Sequence, residues 1–140
     1  ALINAYEISK KKNINFLPLY INLVDPSPNQ GWMQNERKGF AERFKCDAVI
    51  SLAIEHHLII GKNIPLSQFI KWILNYGKFG LLEFIPKNDQ TVQKMLLTKE
   101  DIYHDYSEEN FERQLRKSAE ITNKFKLSNS SRVIYEYKSI

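Results

Sequence analysis

The sequence is short of the features that name a function most directly. One cysteine, Cys46, stands among 140 residues; no internal disulfide can form, and a reducing, cytoplasmic setting is the expectation. Glycine occurs five times and never as G-x-G, which excludes a glycine-rich dinucleotide or phosphate loop within these residues. No G-x-S-x-G elbow for an activated serine is present. Apolar runs stay well short of the roughly 18 residues of a membrane span, and no secretory signal pattern is seen, so no membrane partner is expected. An excess of charge is also missing: 20 basic residues face 16 acidic ones, spread along the chain, for a net charge of +4. A nucleic-acid partner is not expected from so diffuse a charge.

What is present is ordinary globular material. Hydrophobic residues make up 43% and charged residues 26%, and a chain of this length buries roughly two-thirds of its unfolded surface on folding. One domain over 1–140 is expected. The opening "LINAYEISKKK" has helical apolar spacing from its start, as if entered inside a helix, with lysines at the negative end of the dipole. Ile14 to Leu23 is rich in branched and aromatic residues and predicts a strand, with Pro18 confining it to an edge or an irregular stretch. "VDPSPNQGW" reads as a loop, and Asn35 to Phe44 as a helix weakened by Gly39.

Ala48 to Ala53 has the continuous apolar character of a buried parallel strand. "NIPLSQFIKWILNYG" is a helix with Pro65 in its first turn and Gly77 past its end, and "FGLLEFIP" a second buried strand with the acid Glu83 inside it. Thr91 to Leu97 predicts a short helix, and Ser107 caps another in "EENFERQLRKSA". Glu120 to Leu127 and Arg132 to Lys138 form a hairpin around "SNSS". Alternation of this kind predicts an α/β layered sheet with helices on both faces and an antiparallel C-terminal hairpin.

The stretch "DAVISLAIEHHLII" ends in two adjacent histidines, His56 and His57. Neighbouring side chains point in different directions in helix or strand, and no third ligand lies at a metal-binding spacing, so no metal is expected. Position is more telling: ligands of open α/β sheets gather beyond the carboxyl ends of the strands, and both histidines lie just past such an end.

"CDAVISLAIEHHL" resembles the "FDxVxSxxxxHHL" stretch that closes the fourth strand of class I S-adenosylmethionine-dependent methyltransferases. Together with "FLPLYINLVDPSPNQGW", "ERKGFAERFKCDAVISLAIEHHLII", "NIPLSQF", "LLEFIPKNDQTVQKML", "DIYHDYSEENFE" and "SRVIYEY", it is similar to the bacterial methyltransferase-like group related to the nodulation protein NoeA. The resemblance implies a Rossmann-like, seven-stranded methyltransferase sheet. The glycine loop and ribose-holding acid of its first two strands are not in this sequence, which by comparison starts in the helix after the second strand. The chain is thus expected to be the C-terminal portion of a methyltransferase-like domain, strands three to seven, inactive alone and binding S-adenosylmethionine weakly or not at all.

Carried over, the resemblance places Asn22 and Leu23 at the end of the third strand near the adenine, with Asp25 a nearby alternative, since the family usually has Asp where Asn22 stands. Ser51, Ala53 and Ile54 match the end of the fourth strand, facing the methyl donor. His56 and His57 lie where that pocket opens toward substrate, His56 being the one expected to reach it while the other packs against the sheet. Glu83 is either a strand-end acid turned to substrate or the partner of a Lys or Arg. Trp32 either walls adenine or substrate or packs in its loop. The run "KNDQTVQKMLLTKEDIYHDY" is either a lid or a solvated connection. The methyl acceptor, small molecule or otherwise, is not specified; transfer from a sulfonium needs alignment and, for a hydroxyl or amine, a base. A non-catalytic α/β interaction domain derived from the same fold is the alternative. In either case the missing strands leave the fourth strand with an open edge, to be closed by pairing with the third or by a homodimer.

Overall fold

The computed structural model describes residues 1–140, which divide into two compact units, Ala1–Arg43 and Phe44–Ile140. In the first, helix α1 (Leu2–Lys11) carries Lys10 and Lys11 in its last turn, where cations meet the partial negative charge of unpaired carbonyls. Asn13 turns left-handed at φ 50°, and Ile14 N–H then reaches back to the Ser9 carbonyl at 2.9 Å.

The strand expected from Ile14 to Leu23 does not form. The segment is without regular structure, and Ile14, Phe16, Leu17, Leu19 and Tyr20 are all exposed. A strand exists through its ladder, and Pro18 cannot donate to one. Beyond it, Gln30 and Arg37 form an isolated antiparallel bridge around Gly31, whose φ of 85° suits glycine. That bridge shortens the helix expected over Asn35 to Phe44. Residues up to Lys38 are committed to the turn, Gly39 N–H donates to the Asn29 side chain, and only α2 (Phe40–Arg43) is helical.

The second unit holds strands β1 (Ala48–Ser51), β2 (Phe79–Phe84), β3 (Ala119–Lys126) and β4 (Val133–Ser139) in the order β1-β2-β4-β3. β1 and β2 are parallel, with Ser51 opposite Leu82; β4 runs antiparallel to β2 and to β3. Gly80 lets β1, β2 and β4 approach. A Cβ there would lie 2.3 Å from the Val49 carbonyl oxygen and 2.6 Å from the Tyr137 ring.

Helices α3 (Glu55–Lys62), α4 (Leu66–Leu74), α5 (Gln90–Leu96) and α6 (Glu108–Leu115) complete this unit. α3 was not anticipated: "EHHLIIGK" shows only a weak helical stripe because five of its eight residues are buried. Asp89 and Ser107 cap α5 and α6, accepting from Thr91 N–H and Asn110 N–H, as Ser107 was expected to do. The buried sheet face carries Leu82, Phe84, Val133, Tyr135 and Tyr137. Phe111 of α6 stands 5.1 Å from the Phe84 ring and 5.2 Å from the Tyr135 ring. The opposite face leaves Ile50, Phe79 and Phe125 exposed, so within this unit helical cover is seen on one face in place of the two expected.

β1 is an edge strand whose one neighbour is β2. Pairing of the third and fourth strands, expected as one way to close that edge, is not made, because Ile14 to Leu23 forms no strand. No helix is long and apolar enough to cross a membrane.

Candidate functional site

Parallel pairing brings the carboxyl ends of β1 and β2 side by side, and Arg132, just before β4, joins them at the same end through the Phe84–Val133 register. The chain leaves β1 through Leu52 and Ala53 into α3, whose N-terminal boundary is Ile54. Ala53 is left-handed, with φ 52°, a conformation that costs a non-glycine residue about 1 to 3 kcal/mol and needs surrounding support.

Two carboxylates supply it in a reciprocal arrangement. Glu83, near the end of β2, accepts from Ala53 N–H after β1 at 2.6 Å. Glu55, after β1, accepts from Ile85 N–H after β2 at 2.7 Å. Each acid is buried, and each satisfies a strand-end donor on the other strand. Behind Glu83, Arg132 Nη1 lies at 3.5 Å and Arg132 Nε donates to Asp89 at 2.8 Å. The Arg132 guanidinium holds the Asp89 carboxyl below the usual carboxylate range. Behind Glu55, Tyr106 Oη lies 2.8 Å from the Glu55 carboxylate and 2.6 Å from the Ile85 carbonyl. Its single hydrogen is shared between the two, and burial, reinforced by the Glu55 charge, pushes the phenol upward.

The histidines sit in the first turn of α3, about 100° apart around the helix, and their placement is the reverse of that expected. His56 is buried at 2% exposure, its Nδ1 3.5 Å from Glu55, whereas His57 is exposed. The two rings lie 4.1 Å apart. Desolvation, followed by the neighbouring His56, lowers the His57 pKa, with Glu55 pulling the other way. His57 is therefore a neutral imidazole at pH 7, able to accept a proton.

Of the residues singled out from sequence, the structure gathers Ser51, Ala53, Ile54, His56, His57 and Glu83 at this corner. Ser51 is buried and Ile54 half-buried. Glu83 takes the ion-pair reading, with Arg132. Asn22, Leu23, Asp25 and Trp32 belong to the other unit. There Asn22 Oδ1 accepts from Val24 N–H at 3.2 Å in a tight turn, and Trp32 starts a short 3₁₀ turn at 80% exposure. Glu55, Asp89, Tyr106 and Arg132 were not foreseen. The available signal was an acid inside an apolar run, which Glu55 shares with Glu83. No group of three or more His, Cys, Asp or Glu side chains is arranged to hold a metal ion.

No family model matches the sequence, and no solved structure matches it. A curated protein does: over 138 residues, 99% of this chain, the sequence is 44% identical to the nodulation protein NoeA of Rhizobium meliloti (strain 1021). The match supports a NoeA-related family. The chain spans 29% of the length of NoeA. Similarity to NoeA runs through both compact units, so the strand-end corner and the exposed apolar segment before it both lie within the related stretch.

Proposed function

We propose that this NoeA-like stretch is the C-terminal portion of a class I S-adenosylmethionine-dependent methyltransferase whose acceptor remains to be identified, acting in the cytoplasm. The observation that carries the reading is the corner itself. The carboxyl ends of two parallel strands, where open α/β sheets take ligands, carry a solvent-facing neutral imidazole, His57, beside the turn Ser51–Ile54.

The residues present meet part of what the methyl donor requires. Ser51, Ala53 and Ile54 offer backbone and apolar contacts along a rim. The acids at the corner, Glu55 and Glu83, are engaged by backbone N–H groups, which leaves them unsuited to holding ribose hydroxyls, and a glycine loop is absent. Donor binding is therefore assigned to the complete protein, of which these residues form one wall. When bound, S-adenosylmethionine supplies an electrophilic methyl group. This chain's contribution is to hold the rim in shape and, through His57, to take the proton that a hydroxyl or amine acceptor gives up. Calorimetry with S-adenosylmethionine tests the reading on this chain and on a longer NoeA-like chain containing it. Binding confined to the longer chain is expected; binding by neither overturns it.

A second reading, a non-catalytic α/β interaction domain, is favoured by the free outer edge of β1 beside exposed Ile50 and Leu52. β1 has no Lys, Pro or bulge to blunt it. On this reading two copies pair along β1, and sedimentation equilibrium detects a dimer that Ile50→Lys dissolves. A monomer at all concentrations removes that support.

A further inference from the structure

The β1–α3 turn has a geometry that its own sequence does not explain. Leu52-Ala53-Ile54 contains no glycine or asparagine, yet Ala53 is left-handed and exposed. Ile54, at the boundary of α3, makes no side-chain capping bond, so the usual local devices for fixing such a turn are missing. What fixes it comes from thirty residues away: Ala53 N–H is taken by Glu83 Oε2 at 2.6 Å. Glu83 is itself oriented from the hairpin by Arg132, which is anchored in turn on Asp89 at the start of α5.

We infer that Glu83 is a positioning residue, one that holds Ala53 in its left-handed conformation and thereby sets where the β1–α3 turn presents Leu52 and His57 to a ligand at the strand ends. The inference rests on the reading of this corner as the ligand-bearing rim, and it changes the role first considered for Glu83: the acid acts on the backbone of the turn, not on substrate. Arg132 shares the task by keeping Glu83 turned toward β1, its Nη1 lying 3.5 Å from Glu83 Oε1. Glu55 provides the counterpart on the other strand, tying Ile85 N–H to the start of α3 at 2.7 Å. A displaced turn would carry His57 with it, because His57 N–H bonds to the Ile54 carbonyl at 3.0 Å in the first turn of α3.

The test compares Glu83→Ala, Glu83→Gln and the double variant Glu83→Ala with Ala53→Gly, on the full chain. Amide exchange is read at Ala53, and the titration of His57 is followed by NMR. In Glu83→Ala, exchange at Ala53 should accelerate at least tenfold while the Leu82 and Phe84 ladder amides stay protected, and His57 should titrate closer to the ordinary value of about 6.5. Glu83→Gln retains an acceptor for Ala53 N–H and should stay near wild type on both readouts. In the double variant, glycine adopts the left-handed turn without help, so His57 should return to wild-type titration although the carboxylate is gone. A merely structural glutamate would not be rescued at a site this far along the chain.

Unchanged exchange and titration in Glu83→Ala overturn the inference, as does a double variant that behaves like Glu83→Ala. Should Glu83→Ala fail to fold, Glu83→Gln decides: wild-type behaviour supports the hydrogen-bond role, and a shifted His57 titration refutes it. None of these readouts needs a ligand. Failure of S-adenosylmethionine to bind the longer chain would remove the proposed activity while leaving the positioning result standing, so the two failures are distinguishable.

Discussion

Two apolar segments, one with a proline inside it and one with a proline just beyond its end, meet different fates. Ile14 to Leu23 has Pro18 in its middle and stays irregular, with Phe16, Leu17 and Tyr20 exposed. Phe79 to Phe84 is followed by Pro86 and becomes β2, flanked by β1 and β4, with Leu82 and Phe84 buried. The difference lies less in hydrophobicity than in what each segment meets. β2 finds a hydrogen-bonding neighbour on both sides and a helical layer over one face, whereas Ile14 to Leu23 finds no ladder. The same contrast runs through the two units that contain them. Ala1–Arg43 buries only Ser9, Gly39 and Phe40, and the rest of the buried core belongs to Phe44–Ile140.

The largest effect should come from testing that contrast with matched aromatic truncations. Phe111 is fully buried between Phe84 and Tyr135, so Phe111→Ala should cost about 3 to 5 kcal/mol. Phe16 is 56% exposed, and Phe16→Ala should fall within about 0.5 kcal/mol of wild type. Urea unfolding of both variants measures the difference. Equal losses would mean that Ile14 to Leu23 is packed in solution and that the contrast is false.

A smaller loss is expected at Glu55. Its removal leaves the buried Ile85 N–H without its acceptor while Tyr106 keeps the Ile85 carbonyl. An unsatisfied buried donor costs about 1 to 3 kcal/mol, so Glu55→Ala should destabilise by that amount, and Glu55→Gln by less. A Glu55→Ala protein as stable as wild type would show that the strand-end acids are dispensable and that the second unit owes its order to apolar packing alone.

Much of the second unit was legible because its signals are local. The stripe of Leu66, Phe69, Ile70 and Ile73, the cap at Ser107 and the hairpin around "SNSS" each fit within a few residues. What was not legible depends on partners far along the chain. The helix Glu55–Lys62 is buried on most sides, which erases the amphipathic pattern that would have marked it. The clasp is harder still. Nothing in "LLEFIP" says that Glu83 will meet the amide of Ala53, and nothing in "LAIEHH" says that Glu55 will meet that of Ile85, because both meetings are made by the parallel pairing. An acid placed in an apolar strand was a visible sign of a bonded partner, and it left open which partner. The histidine assignment failed for a related reason: without the helix, the direction in which His56 and His57 point cannot be assigned.

At the next size, the cap at Ser107 separates local from long-range contributions. Ser107 Oγ accepts from Asn110 N–H at 3.2 Å, so Ser107→Ala should cost about 1 kcal/mol. The loss should appear in thermal unfolding without altering the titration of His57, since the cap takes no part in the strand-end corner. A shifted His57 titration would show that α6 and the corner are coupled.

The smallest expected effects concern pH, and two groups set opposite ends of the range. Asp89 has a lowered pKa, chiefly from the hydrogen bond of Arg132. A carboxylate depressed on folding contributes stability above its unfolded value, near 3.8, and that contribution is lost as pH falls through the lower folded value. His57 is also lowered, from 6.5. For an imidazole this means that the unfolded chain binds the proton more readily, so stability is full above 6.5 and declines as pH drops below it. Arg132→Ala should therefore raise the pH of acid unfolding, and His57→Gln should flatten the stability curve just below neutrality while leaving the acid limb alone. Stability measured from pH 7.5 down to 3 checks both. A His57→Gln curve that still falls between 6.5 and 5 would show that the slope does not come from His57.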